Sequence, residues 1–182
     1  GLALAYSLWV LWRGLQNNAR EGEDELLPNF GPGNQMTLLR GLCLALLTGF
    51  LFAPWPQGPL AWLLVLLCTI VDVADYLDGF LARRANHATG LGATLDMEFD
   101  GMGMLVVTLL AVSFGQLPLW YLLLGLARYL FIFGLWWRRR NGKPIFELPP
   151  SAHRRLYAGF QMGIMSYRAW LCARLAHCQR PA

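Results

Sequence analysis

Charge is scarce in this chain. Only 14% of its 182 residues are Asp, Glu, Lys or Arg, where a soluble domain carries about a quarter. With 56% hydrophobic residues, that scarcity argues against a fully water-facing surface and for a membrane protein. The net charge of +4 is small, and no nucleic-acid partner is expected. Cysteine patterning is absent too: Cys43, Cys68, Cys172 and Cys178 include no C-x-x-C pair. That excludes a cysteine metal site or disulfide framework and leaves Cys43 and Cys68, inside apolar runs, as small hydrophobes. His87 and His177 have no partners that suggest a metal site. No basic region precedes the first apolar stretch, so it is not a signal peptide. A chain that starts at Gly1 inside such a stretch reads as a fragment or trimmed product.

What the sequence does have is long apolar runs. A helix needs about 20 mostly apolar residues to cross a bilayer, and five segments approach that: 37–53, 60–77, 95–114, 117–137 and 156–173. Pro54, Pro56, Gly58 and Pro59 break the first pair, and Gly115 to Pro118 the third and fourth. Such short spacers make neighbours antiparallel, so the fold class is all-α, a polytopic transmembrane helical bundle. The run 2–12 is half a span, an interfacial or partial helix. The expected organisation is therefore an N-terminal helix and polar linker over 1–30, then a transmembrane domain over 31–182. Basic residues fall in alternate loops: Arg83 and Arg84 in one, Arg138, Arg139, Arg140, Lys143, Arg154 and Arg155 in another, with Arg13, Arg20 and Arg40 before or just inside the first span. Basic loops stay cytoplasmic, which places those three regions on the cytoplasmic side.

Within this apolar background lies D-Y-L-D-G-F-L-A-R, then eight residues, then G-A-T-L-D-M-E-F-D. Asp75 and Asp78 are three apart and Asp96 and Asp100 four apart, so each pair shares one helix face. The first pair ends one span and the second opens the next, which brings both to the same membrane side. Four carboxylates without compensation repel, and charge at membrane depth is costly. Hard divalent cations relieve both, and two of them form the usual clamp for displacement at phosphorus. An intramembrane aspartate pair also serves as a proton relay or ion site, but the fixed Gly79, Ala82, Arg83 and Gly92 are left unexplained by that reading.

This stretch is similar, position for position, to the signature of the CDP-alcohol phosphotransferase (phosphatidyltransferase) family, D-x-x-D-G-x-x-A-R-x8-G-x-x-x-D-x-x-x-D. Asn34-Gln-Met-Thr37-Leu-Leu-Arg40 resembles the family's approach to its first span, and Pro150-Ser151 with Gln161 a later region. The resemblance implies a six-helix fold, a homodimer and a cavity facing the cytoplasm. The sequence shows five spans, so the sixth either is lacking here or differs in this member. Also implied are two divalent cations, Mg2+ or Mn2+, ligated by Asp75, Asp78, Asp96 and Asp100, with Asp100 the general base. Asn34, Thr37, Gly79, Ala82, Arg83 and Gly92 would bind the nucleotide of a CDP-linked lipid donor. A phosphatidyl-type group would pass to a small alcohol acceptor with release of CMP. The alternatives are an intramembrane aspartate-rich prenyltransferase and a non-catalytic ion-binding membrane protein.

Four further residues invite readings. Asp72 is expected to make a structural hydrogen bond or pair with an arginine. Glu98, between the paired aspartates, is expected at the interface. Arg128, inside the fourth span, is read as lining the cavity, where with Arg154 and Arg155 it would hold an anionic acceptor. The alternative for Arg128 is a pair with Asp72.

Overall fold

The computed structural model of the chain describes residues 1–20, 25–54, 56, 58–144 and 163. Among the described residues there are five α-helices: α1 (Leu2–Gly14), α2 (Pro32–Gly49), α3 (Pro59–Arg84), α4 (Gly90–Ser113) and α5 (Leu122–Arg140), with single 3-10 turns at Leu15–Asn17, Phe50–Phe52 and Leu119–Tyr121. Proline opens α2 and α3, where its fixed φ suits the first helical turn and its missing N–H costs nothing. Thr89 caps α4 by accepting from the Gly92 amide at 3.1 Å, satisfying one of the donors a helix start leaves free. The chain turns between helices at Gly58 and Gly115, both with positive φ. The segment 156–173 lies outside the described residues.

Among the described residues, three helices are long and apolar enough to cross a membrane: Pro32–Phe52, Pro59–Arg84 and Leu119–Arg140. The bundle is thus that of an integral membrane protein. α4 is excluded from that set by its acids, since every 18-residue stretch of it contains Asp96, Glu98 and Asp100. The 26 residues of α3 reach about 39 Å at about 1.5 Å each, more than a hydrocarbon core of about 30 Å. Its acidic and basic last turns therefore stand in the interfacial zone.

α2 is the central element, packed on α1, α3 and α4, while α5 lies outside against α4. The core is aliphatic with one ring: Leu44, Leu47, Leu64, Val71, Leu91, Leu95 and Phe99 are buried. Helices approach closely where side chains are minimal. Gly41 faces the Phe99 ring, and Gly33 faces α3, where a Cβ would lie 2.7 Å from Ala82 Cβ and 2.8 Å from the Asp78 carbonyl oxygen. Neither neighbour is a flexible chain end, so Gly33→Ala is expected to force α2 and α3 apart and destabilise the protein by about 1–3 kcal/mol. A thermal melt in detergent, unchanged by the substitution, would contradict this packing. The linker after α1 pins the α3–α4 turn: the Gly90 amide donates to the Ala19 carbonyl at 3.2 Å, and Arg20 Nε to the Asn86 carbonyl at 3.2 Å.

Candidate active site

The end of the bundle that joins α3 to α4 gathers the polar residues of the signature. Asp75 and Asp78 project from the last turns of α3, and Asp96 from the second turn of α4. One carboxylate oxygen from each of these three lies within 4.8 Å of the others. Asp100, one turn further along α4, is outside that trio but close by. Asp78 is buried, whereas Asp75, Asp96 and Asp100 are half-exposed. Thr37 Oγ1 lies 3.0 Å from Asp78 Oδ2 and 3.1 Å from the Gly33 carbonyl, so its single proton is shared between them and holds that carboxylate in place.

Arg40 lies just inside the first span, as its place in the sequence suggests, but its partners there could not be read from the sequence. Arg40 is 2% exposed and lies at the base of the carboxylate cluster. Its Nη1 pairs with Asp75 Oδ1 and lies 3.7 Å from Asp78 Oδ2 and 3.4 Å from Asp100 Oδ1. Its Nη2 donates to Asp96 Oδ1 at 2.8 Å and to the Asp96 carbonyl at 3.0 Å. The four aspartates are therefore not uncompensated: one guanidinium touches them all. The helical period held the clue, since Gly33, Thr37, Arg40, Leu44 and Leu47 recur at three- and four-residue steps and form the buried stripe of α2.

Even so, four carboxylates against one guanidinium leave three negative charges. Oxygen donors in excess of their counter-charge suit hard divalent cations, so this donor set fits a metal site. Beside it opens a cavity of about 180 Å³ lined by Gly33, Asn34, Thr37, Asp78, Gly79, Ala82, Arg83, Ala88, Thr89, Gly92, Ala93 and Asp96. All six residues expected at the nucleotide are on that wall, and Asp78 and Asp96 join it to the cluster. The glycines have distinct reasons. Arg83 folds back over Gly79, where a Cβ would meet its Nη1 at 3.2 Å, and a side chain at Gly92 would overlap Asn34 Oδ1. Asn34 in turn donates to Thr89 Oγ1 at 3.0 Å, within the buried part of this wall. Ala82 is small because α2 crosses there, not only because a ligand approaches.

Glu98 and Arg128 face each other between α4 and α5. Glu98 is half-buried and accepts from the Tyr6 hydroxyl at 2.7 Å, with Arg128 Nη2 3.4 Å away on its other side. It ties α1 and α5 to α4, and its position on α4 turns it away from Asp96 and Asp100. Arg128 does not line the cavity described above. Its stem packs over Gly101, whose missing side chain leaves the room it fills, and its Nε is buried without a hydrogen-bond partner. Arg154 and Arg155 lie outside the described residues, as do Pro150, Ser151 and Gln161.

The model of the family described as CDP-alcohol phosphatidyltransferase matches residues 32–174. A CMP-forming cardiolipin synthase of Streptomyces coelicolor is 39% identical over 102 residues, covering 54% of this chain and 43% of its own length. A Mycobacterium tuberculosis protein named as a candidate cardiolipin synthase is 28% identical over 131 residues, 70% of this chain and 61% of its own. A CDP-diacylglycerol–glycerol-3-phosphate 3-phosphatidyltransferase of Bacillus subtilis is 27% identical over 116 residues, 58% of this chain and 60% of its own. The chain thus spans between about two fifths and three fifths of the length of these curated relatives. No solved structure matches it significantly.

Proposed function

Because the chain belongs to the CDP-alcohol phosphatidyltransferase family, we propose that it transfers a phosphatidyl group from a CDP-diacylglycerol-type donor to a glycerol hydroxyl of an acceptor that carries phosphate. The observation that supports this most is the junction of an acidic cluster with a cavity walled by small residues and one arginine. The relatives narrow the acceptor. One is named for glycerol 3-phosphate. Another forms CMP and cardiolipin, a glycerol bridging two phosphatidyl groups, which needs an acceptor already carrying one. Both acceptors present a glycerol hydroxyl beside a phosphate anion.

In this reading the cytidine rests on Gly79, Ala82 and Gly92, with Asn34 and Thr37 at its edge and Arg83 over the diphosphate, where a guanidinium fork suits phosphate oxygens. Two divalent cations, Mg2+ or Mn2+, on Asp75, Asp78, Asp96 and Asp100 supply charge neutralisation at the diphosphate when bound. Asp100 takes the proton of the acceptor hydroxyl as its oxygen bonds to the lipid-bearing phosphorus. The bond from that phosphorus to the bridging oxygen breaks, and CMP leaves with the electron pair. The basic turns Arg83–Arg84 and Arg138–Arg140 lie at the same end of the bundle as the site, which supports a cytoplasm-facing active site. The acceptor approaches past Asp100, beside the Arg128 stem. The transferase occupies 31–182 and acts as a homodimer among membrane lipids.

CMP release from CDP-diacylglycerol in Mg2+ or Mn2+ tests this across glycerol 3-phosphate, phosphatidylglycerol, inositol phosphate, inositol, serine and choline. Release with one of the first two alone, abolished by chelator, is expected. Release only with a non-glycerol alcohol would overturn the acceptor assignment. Arg128→Met is expected to raise the KM for the anionic acceptor about tenfold, one charge-assisted contact's worth, with the donor KM unchanged. An unchanged acceptor KM with a lowered melting temperature would make Arg128 structural only.

A further inference from the structure

Arg40 is more than a neighbour of the acidic cluster, because a guanidinium and a bound cation there draw on the same negative charge. Resting on the metal-binding reading above, we propose that Arg40 is a built-in counter-ion. It offsets one of the cluster's four negative charges and holds the aspartates when no divalent cation is present, and it weakens the cluster's grip on cations when they are.

Four observations carry this. Arg40 is buried within the cluster, 2% exposed, whereas Asp75, Asp96 and Asp100 are half-exposed. It reaches all four carboxylates with two nitrogens. Three of the four are those whose oxygens gather within 4.8 Å. Its Nε is buried and unpartnered, a cost tolerated while the two Nη groups are engaged. A guanidinium cannot lose its charge in a protein, so the positive charge remains within reach of any cation that binds.

Two effects of removing Arg40 oppose each other. Loss of its positive charge strengthens cation binding, while loss of its hydrogen bonds loosens the carboxylates. The first wins, because the helices already place the acids: Asp75 and Asp78 share one face of α3, Asp96 and Asp100 one face of α4, and Thr37 holds Asp78 independently. A unit charge within about 4 Å of a ligating group typically shifts an ionic equilibrium by about one to three powers of ten.

The test uses the purified full chain in detergent, with Mn2+ as probe. Binding is read from loss of the free-ion electron paramagnetic resonance signal, and stability from thermal melts with chelator or with Mn2+. Arg40→Gln is expected to bind Mn2+ about tenfold more tightly than wild type. It is also expected to melt markedly lower in chelator and to recover most of that loss in Mn2+. Wild type is also expected to gain in Mn2+, by a smaller margin because it binds the ion about tenfold more weakly. Arg40→Lys keeps the charge without the fork, so it is expected to lie between the two; it serves if Arg40→Gln does not fold. Mn2+ affinity in both variants equal to or weaker than wild type would overturn the proposal while leaving the metal reading standing. Wild type that takes up no Mn2+ would overturn both.

Discussion

Asp78→Asn is expected to cut metal-dependent CMP release by at least about a thousandfold, while the melting temperature changes by only a few degrees. The two expectations have separate physical causes. Asp78 is the one buried carboxylate of the cluster, and with Asp96 it also lines the cavity. Its removal takes a charge from the point where donor and cation would meet. Asparagine has the same shape and keeps a carbonyl oxygen to accept from Thr37, so the α2–α3 contact survives. The loss also brings the remaining three carboxylates closer to balance with Arg40, which limits the cost to folding. Turnover across a Mg2+ series, set beside melts of the same preparation, separates the two. Wild-type rates would remove Asp78 from the ligand set. A collapse of melting temperature would mean that its charge is needed chiefly to hold Arg40.

Much of this site is local in sequence, and that part was legible. The spacings from Asp75 to Asp78 and from Asp96 to Asp100 fix which helix face each occupies, and the short 85–89 turn fixes that both pairs meet at one end. The apolar runs and their proline and glycine breaks located three of the five expected spans, at α2, α3 and α5, and a helix, α4, at the place of a fourth; α3 runs on past its apolar stretch because charged residues continue it. What depends on pairs of helices was not legible. Arg40 is 35 residues from Asp75 and 56 from Asp96, so its role exists only once α2 docks on α3 and α4. The same holds for Tyr6 and Glu98, which are 92 apart, and for Gly33 against Ala82. Glycine at 33 states that room is needed without saying what fills it. The signal in the sequence is a stripe on α2 that includes an arginine, and a basic residue near the end of a span serves equally well as a topology marker.

Asp100→Asn is expected to leave affinity for the CDP-linked donor within about threefold of wild type and to lower transfer by about 10²–10⁴, the range for a lost general base. Its position distinguishes it from the other three acids. It lies outside the trio of oxygens within 4.8 Å and does not line the cavity. It is half-exposed, with Arg40 Nη1 3.4 Å away. That placement is poor for clamping a nucleotide and good for meeting a hydroxyl that arrives from the lipid side past Gly101. Donor binding measured by displacement of a fluorescent CDP analogue, alongside single-turnover transfer, decides between the roles. If affinity falls with rate, Asp100 serves mainly as a cation ligand, and the proton must leave through another group. If affinity holds and transfer is lost, the cluster divides its labour: Asp75, Asp78 and Asp96 hold the charge of the donor, and Asp100 acts on the acceptor.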